Sequence, residues 1–301
     1  MLASPVQGQV PTGWQLKWSD EFDGPGIDRA KWELANDCWG GGNEERQCYT
    51  DSARNASVEG GRLIITARRE KIRGPALPID QRATADDPNS VATRYFSSAK
   101  LTTRNSAAWR YGKIEVRAKL PQGQGTWPAI WMLPAQNDYG SWAASGEIDI
   151  LEAVNLGVQC KDCEEGGENT ILGTLHFGGA SPDNAFASTE IAFPEVLKGF
   201  HTYGIEWREG LVRWTVDGRI FAEKRASDWS TTGSVDPAAP FDRPFYLILN
   251  LAIGGRLPEG RAQGGVSNKD FPKSLEIEWV RVWQCAPPRD SDGSCVTGGG
   301  E

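Results

Sequence analysis

The residues best suited to chemistry in this sequence are three carboxylates within one short stretch. Glu147, Asp149 and Glu152 are separated by isoleucine and leucine residues. Alternation of acidic and aliphatic residues predicts a β-strand, because successive side chains of a strand point to opposite faces. Glu147 and Asp149 are therefore expected to share one face, with Ile148 and Ile150 buried behind them.

Glu152 breaks this alternation. Only residues an even number of positions apart share a face of a regular strand, and Glu152 follows Glu147 by five. In a regular strand Glu152 would point into the core, where an isolated carboxylate is too costly to bury. One extra residue near Leu151, forming a β-bulge, would bring Glu152 back to the acidic face. The sequence therefore predicts a bulged strand with all three carboxylates on one open surface.

Two carboxyl groups about 5 Å apart across a sugar bond can hydrolyse it with retention of configuration. In this hypothesis Glu147 is the nucleophile, and Glu152 is the general acid and later the base. Asp149 would hydrogen-bond Glu147 and help to set the proton distribution, because clustered carboxyl groups cannot all ionise freely. The alternative is an acidic strand face in water, and the motif alone does not decide between them.

Composition limits the classes of protein that the chain can belong to. Its 301 residues are 39% hydrophobic, enough for the core of one large β domain or two small ones. We expect no nucleic-acid partner, since the net charge is −8 and no basic block is present. We expect no membrane segment, since no apolar run is long enough to span a bilayer. The 13 tryptophans suit a carbohydrate cleft, although many must be core residues.

The six cysteines and two histidines favour disulfides in an oxidising compartment over a zinc site. Proximity in sequence suggests three couples, although other pairings are open: Cys38 with Cys48, Cys160 with Cys163, and Cys285 with Cys295. The couple Cys160 and Cys163 also has the spacing of a redox motif. Its Gly/Glu-rich surroundings favour a disulfide that closes a loop.

Alternating and β-branched segments between turn residues predict roughly a dozen strands and little helix, which indicates an all-β sandwich. The segment 69–89 lacks a period and is predicted to be a surface excursion. We expect one domain over 14–285, after an N-terminal extension at 1–13 and before a linker-like tail at 286–301. A turn is predicted at 19–24, after the first strand. The predicted strands lie at 14–18, 62–68, 99–103, 111–120, 127–133, 169–177, 200–208, 211–216, 219–224, 246–253 and 275–282.

Two tryptophans near the acidic strand have two interpretations. Trp127 and Trp131 project from the same side of an extended segment, and a glycine-containing loop precedes them. They could fill the core of the sandwich. We favour sugar stacking for at least one of them, because the preceding glycines suggest a loop that leads to an open face.

Several motifs together resemble bacterial members of glycoside hydrolase family 16, in particular the laminarinases, which are endo-β-1,3-glucanases. The resemblance implies a concanavalin A-like β-jelly-roll sandwich of two curved antiparallel sheets with an open concave cleft. The spacing of Glu147 and Glu152 is the laminarinase form, whereas lichenase-type members have a shorter one. The motifs are Trp18-Ser19-Asp20-Glu21-Phe22, Gly42-Asn43, Tyr49-Thr50 and the segments 111–115, 127–133, 146–152, 173–179, 201–207, 245–255 and 280–282.

The resemblance also implies roles for individual residues. Glu147 takes the place of the nucleophile, Glu152 that of the acid/base and Asp149 that of the assisting acid. Asn43 would bond a sugar hydroxyl on the non-reducing side, and His176 would reach the leaving-group side near Glu152. The tryptophans that would line the cleft by stacking are Trp127, Trp131 and Trp142. His176 could alternatively be a satisfied sheet histidine.

The resemblance implies no cofactor for catalysis but one structural calcium ion on the convex face. Its ligands would be Glu21, the backbone of Gly61 and Glu278, which can supply the oxygen atoms that calcium prefers. A solvated Glu21 is the alternative.

The leading interpretation is a monomeric, secreted, endo-acting hydrolase of β-1,3-glucan, whose signal peptide is absent from this sequence. A hydrolase of agar or carrageenan is the alternative enzyme, since Arg94, Arg104 and Arg110 could bind sulfated chains locally. The third interpretation is a non-catalytic glucan-binding module. The presence of both Glu147 and Glu152 argues against it.

Overall fold

The computed structural model describes residues 13–285 except 83, 88, 162, 164–166 and 262, together with Cys295. These residues form seventeen strands in two sheets, so the all-β prediction is confirmed. The α-helices are short, at Ile79–Arg82 and Arg256–Gly260, and two 3-10 turns lie at Pro194–Leu197 and Ala226–Asp228. None of the described helices is long and apolar enough to cross a membrane. The tail at 286–301 lies outside the described residues, apart from Cys295, as do residues 1–12.

One sheet contains seven strands, which follow the spatial order β12-β11-β10-β9-β16-β7-β2 with antiparallel pairing throughout. The acidic strand β10 therefore lies near the middle of this sheet, between β9 and β11. The seven strands are β2 (Glu33–Leu34), β7 (Lys100–Thr102), β9 (Thr126–Pro134), β10 (Glu147–Glu152), β11 (Thr170–Gly178), β12 (Asn184–Ala192) and β16 (Phe245–Ile253).

The other sheet contains ten strands in the order β15-β14-β13-β8-β17-β5-β6-β3, with β1 also paired to β17 and β4 to β5. Its pairs are antiparallel except for β3 with β6. The strands are β1 (Trp14–Asp20), β3 (Gln47–Tyr49), β4 (Ala56–Val58), β5 (Leu63–Pro75), β6 (Val91–Ser98), β8 (Gly112–Lys119), β13 (His201–Arg208), β14 (Leu211–Val216), β15 (Arg219–Arg225) and β17 (Lys273–Cys285).

The predicted surface excursion at 69–89 is wrong over its first third. Strand β5 continues to Pro75 and pairs with β6, for example Arg73 with Thr93. Side chains on this part of β5 are exposed or half-buried, so no apolar alternation marks it as a strand. Backbone pairing with β6 maintains the strand here, and a hydrophobic pattern does not reveal backbone pairing.

A single large cluster of apolar side chains lies between the two sheets. Burial of each large aliphatic side chain contributes roughly 1.5–3 kcal/mol, so this cluster is the main source of stability. Along the strands of both sheets, side chains that point into this cluster alternate with side chains that point away from it. Fully buried members of the cluster are Ile65, Ile114 and Val116 on the ten-stranded sheet, and Ile130, Ile148 and Ile150 on the seven-stranded one.

One contact across this core fixes the acidic strand. Trp214 of β14, which is completely buried, donates its indole N–H to the backbone carbonyl of Asp149 at 2.7 Å. The indole lies directly against Gly173 of β11, where an added Cβ would be only 2.4 Å from it. Glycine is therefore required at position 173 for Trp214 to reach β10.

All three predicted disulfides are present. The Cys160–Cys163 bond closes a loop, as expected. These bonds support the prediction of an oxidising compartment.

We expect reduction of the disulfides to lower the melting temperature, because the bonds at Cys38–Cys48 and Cys285–Cys295 each restrict the unfolded chain. Differential scanning calorimetry with and without a phosphine reductant measures this effect. Alkylation of the freed thiols controls for incomplete reduction. An unchanged melting temperature after complete reduction would show that the bonds do not stabilise the fold.

We expect Trp214→Phe to leave the Asp149 carbonyl without its donor and to destabilise the fold by about 1–3 kcal/mol. Trp207→Phe is a matched control, since Trp207 is 2% exposed and donates to the Phe241 carbonyl at 3.0 Å. Urea unfolding should show similar losses, whereas amide hydrogen exchange in β10 should rise only in Trp214→Phe. Equal exchange in β10 for both variants would contradict the positioning role.

Candidate active site

The predicted β-bulge is present in β10. Three steps along β10, from Asp149 to Glu152, are matched by only two on β11, and the same shift occurs against β9. As a result the three carboxylates lie opposite alternate residues of β11, which share one face. Glu147, Asp149 and Glu152 face His176, Thr174 and Leu172, respectively.

The bulge separates polar from apolar side chains along β10. Ile148, Ile150 and Leu151 are at most 1% exposed and lie in the core. The three carboxylates lie on the opposite face, where Glu147 and Glu152 are partly exposed. The extra residue thus allows two consecutive aliphatic side chains, Ile150 and Leu151, to be buried while Glu152 is kept out of the core.

Glu147 is bound by an indole and faces an imidazole. Trp142 donates its N–H to Glu147 Oε2 at 2.7 Å, and His176 Nε2 lies 3.8 Å from Oε1. Burial and, next, the charge of Asp149 raise the pKa of Glu147 to about 8, while His176 and Trp142 act in the opposite direction. The two neighbours therefore favour the ionised carboxylate that burial opposes.

Asp149 is the most buried of the three acids, at 3% exposed. Burial and the charge of Glu152 raise its pKa well above the ordinary value, against a hydrogen bond with Glu147. His176 Nε2 lies 3.2 Å from Asp149 Oδ2, but Oδ2 has no partner of hydrogen-bond geometry among the described residues. The surroundings of Asp149 therefore favour its protonated form.

Glu152 is held by the second indole of the site. Trp127 donates its N–H to Glu152 Oε1 at 2.9 Å. Burial raises the pKa of Glu152, and the bond from Trp127 only partly opposes this. Since Trp127 is 8% exposed, its ring offers little surface for a sugar, and its evident contact is with the carboxylate.

Trp131 leads into a buried polar network that the sequence analysis missed. Trp131 donates to Asn250 Oδ1 at 2.7 Å, Asn250 donates to the Tyr49 hydroxyl, and Tyr49 donates to Glu45. Gln47 also donates to Glu45, whose pKa is raised by burial. A signal was available, because Glu45, Gln47 and Tyr49 alternate as a strand requires immediately after Asn43.

An aromatic rim borders the acids on the β11 side. Trp142 is 42% exposed, and its ring centroid lies 5.7 Å from that of His176. Phe186 on the edge strand β12 is 66% exposed, and its ring lies 6.0 Å from His176. Phe186 was not identified from the sequence, although it is the one aromatic residue of β12.

His176 was expected to reach the leaving-group side near Glu152. It lies opposite Glu147 and contacts Glu147 and Asp149, and it also acts to lower the pKa of Glu152. The antiparallel register between β10 and β11 places Leu172, not His176, opposite Glu152. His201, which was expected to be structural, bonds Asp217 and the Glu195 carbonyl.

Other predicted contacts lie further from the acids. Asn43 is exposed, and its loop approaches Trp127 across Gly255, where an added Cβ would be 2.9 Å from the Asn43 carbonyl and 3.2 Å from the indole. Arg104 follows β7, with its guanidinium 5.9 Å from the Tyr246 ring. The three arginines considered for sulfated chains lie on different elements: Arg94 in β6, Arg104 after β7 and Arg110 before β8.

The predicted calcium ligands do not fit a calcium site as arranged. Glu21 forms a two-pronged ion pair with Arg281 at 3.0 and 2.8 Å. Glu278 pairs with Arg117 at 2.7 Å. Each carboxylate already has a guanidinium partner, which a calcium ion would have to displace.

Comparisons with known proteins agree with this geometry. The model of "Glycosyl hydrolases family 16" matches residues 47–281. The "Glucan endo-1,3-beta-glucosidase A1" of Niallia circulans is 39% identical, with 94% of this chain and 39% of that protein covered. The "Beta-glucanase" of Rhodothermus marinus is also 39% identical, with 94% and 90% covered.

Solved structures extend the likeness to the fold. The laminarinase from Rhodothermus marinus superposes with a TM-score of 0.73 at 36% identity, covering 91% of this chain and 99% of that one. The two sheets, the bulged acidic strand and the family match over 47–281 are thus consistent with one another. The chain belongs to glycosyl hydrolases family 16 and has the jelly-roll fold of that family.

Proposed function

We propose that the protein is an endo-acting hydrolase of β-1,3-glucan that retains configuration, with Glu147 as nucleophile and Glu152 as acid/base. The observation that carries this proposal is the bulge that brings both carboxylates to one face, each held by an indole. The names of the relatives, which include glucan endo-1,3-beta-glucosidases, support this substrate class. Catalysis in this family needs no cofactor.

In the first step Glu147 attacks the anomeric carbon while Glu152 donates its proton to the departing glycosidic oxygen. Oε1 of Glu147 is the attacking atom, because Oε2 accepts the Trp142 hydrogen bond. The product is a glycosyl ester on Glu147. In the second step Glu152, now ionised, takes a proton from water, and the water oxygen displaces Glu147 to restore the starting configuration.

The protonation states required for this cycle follow from the surroundings of the acids. Burial raises the pKa of Glu152, which retains the proton that the leaving group needs. Asp149 holds a proton readily, since its pKa is raised well above the ordinary value. A neutral Asp149 no longer repels a negative Glu147, and Trp142 and His176 then favour the ionised nucleophile.

Substrate contacts are assigned by exposure. Trp142, at 42% exposed, offers a ring face for sugar stacking beside Glu147, and Phe186 extends this surface. Trp127 positions Glu152 by its hydrogen bond, and Trp131 connects the acidic face to the buried polar network by its hydrogen bond to Asn250. Asn43 and Arg104 are both exposed and are proposed to bind sugar hydroxyl groups.

We further propose that the protein is secreted and acts as a monomer, with its catalytic domain over 14–285. The three disulfides support an oxidising compartment. A structural calcium ion stays a prediction of the family resemblance, and it would require Glu21 and Glu278 to leave their arginine partners.

We expect Glu147→Gln and Glu152→Gln to lower laminarin hydrolysis by several orders of magnitude while retaining glucan binding, because only the reacting carboxyl is lost. Reducing-sugar release and affinity electrophoresis measure the two effects. Glu223→Gln is the control, since Glu223 pairs with Arg213 on the other sheet. Hydrolysis of agarose or carrageenan in place of laminarin would overturn the substrate, and unchanged turnover in either variant would overturn the assigned roles.

We expect Glu147→Gln to raise the melting temperature at pH 8 more than at pH 4. The folded pKa of about 8 exceeds the ordinary value of 4.5, so the fold favours the protonated acid. Stability from this group is complete below about pH 4.5 and is lost as pH rises through about 8. Glutamine is neutral at both pH values and avoids that loss.

Thermal melting at the two pH values measures this difference. Glu223→Gln is again the control and has the opposite sign, because Arg213 lowers the pKa of Glu223 and its ion pair stabilises the fold above its pKa. A gain for Glu147→Gln that is equal at pH 4 and pH 8 would show that the carboxylate is not strained by burial.

A further inference from the structure

Three potential ligand atoms converge on the open face of β10 and β11. Glu147, Asp149 and His176 each offer one ligand atom, and these three atoms lie within 4.8 Å of one another. The imidazole nitrogen is 3.2 Å from Asp149 Oδ2 and 3.8 Å from Glu147 Oε1. We call these three residues the His–acid triad.

The spacing of the triad matches the coordination shell of zinc. Zinc binds imidazole nitrogen and carboxylate oxygen at about 2.0–2.2 Å, so neighbouring ligands of a tetrahedral site lie roughly 3.3–3.5 Å apart. The two measured distances lie on either side of this range. The triad suits calcium and magnesium less well, because these ions prefer coordination shells made of oxygen alone and the triad includes an imidazole nitrogen.

The orientation of the three side chains leaves the ligand atoms available. Trp142 holds Glu147 by Oε2, so Oε1 stays directed toward His176. Asp149 is 3% exposed, and its Oδ2 accepts no hydrogen bond from the described residues. An unpartnered buried carboxylate oxygen is costly, and a cation placed against it would remove that cost.

We propose that the His–acid triad binds one divalent transition-metal ion, zinc or copper, and that the bound ion blocks the nucleophile. The ion would occupy the Oε1 atom with which Glu147 attacks sugar, so metal and glucan would exclude one another. Binding of the ion depends only on the triad geometry. The exclusion of glucan rests on the proposed function.

The binding is expected to be weaker than that of a structural zinc site. A metal-ligating histidine is normally oriented by an acceptor at its second ring nitrogen. His176 Nδ1 is buried and has no partner among the described residues. The ion is thus a reversible inhibitor and not a part of the folded protein.

The other metal-ligating cluster found among the described residues is already engaged, as is the second histidine. Cys160 and Cys163 lie near Glu168, but their sulfur atoms form a disulfide and supply no thiolate. His201 uses both ring nitrogens, Nδ1 with Asp217 at 2.7 Å and Nε2 with the Glu195 carbonyl at 2.8 Å. His201 is therefore a matched control for His176, the other histidine of the chain.

Isothermal titration with zinc chloride, on protein treated with chelator and freed of it, tests the proposal. Wild type and His201→Gln should bind one zinc ion, whereas His176→Gln and Asp149→Asn should bind it about tenfold or more weakly. Melting curves establish that each variant is folded, and the two independent variants guard against misfolding of one. Undiminished zinc binding by both folded variants, or equal loss in His201→Gln, would overturn the site.

A second titration separates the site from its effect on glucan. Glu152→Gln keeps the triad and does not turn over, so its affinity for a laminari-oligosaccharide can be measured with and without zinc. We expect zinc to weaken oligosaccharide binding. Zinc binding without any change in sugar affinity would refute the exclusion alone, and absence of oligosaccharide binding in zinc-free protein would count against the proposed function.

Discussion

One extra residue in a central strand determines the arrangement of the whole site. Without it, Glu152 would point between the sheets among the aliphatic side chains that hold them together, at a free-energy cost that the fold could not tolerate. With it, Ile150 and Leu151 both enter the core and Glu152 joins Glu147 on the open face. The bond from Trp214 to the Asp149 carbonyl holds the strand from the opposite sheet at this irregular point.

The chemistry of the site depends on burial that the fold only partly compensates. Removal from water raises the pKa of each of the three acids, and the charge of a neighbouring acid raises it further at Glu147 and at Asp149. Indole donors from Trp127 and Trp142 each satisfy one carboxylate oxygen without adding positive charge. Tryptophan is well suited to this purpose because it donates a hydrogen bond while its ring excludes water. The same residual strain makes the triad a candidate for capture by a metal ion.

The bulge could be predicted from the sequence, because burying the Glu152 carboxylate in the core would cost too much free energy. Short spacings between cysteines suggested the disulfides that the structure contains. Features that depend on how separate strands pair could not be predicted. The contacts of His176 with Glu147 and Asp149 were not predicted, because neither β10 nor β11 encodes their mutual register. The bond from Asn250 to Tyr49 joins residues 201 apart in the chain. The outer half of β5 was missed because both of its faces are accessible to solvent.

Trapping of the covalent intermediate tests the central claim most directly. A 2-deoxy-2-fluoro β-1,3-glucosyl substrate with an activated leaving group slows the second step, so that the glycosyl ester accumulates and can be located by peptide mass spectrometry. The account predicts a single label on Glu147. A label on Glu152 or Asp149, or hydrolysis with inversion and no label at all, would contradict it.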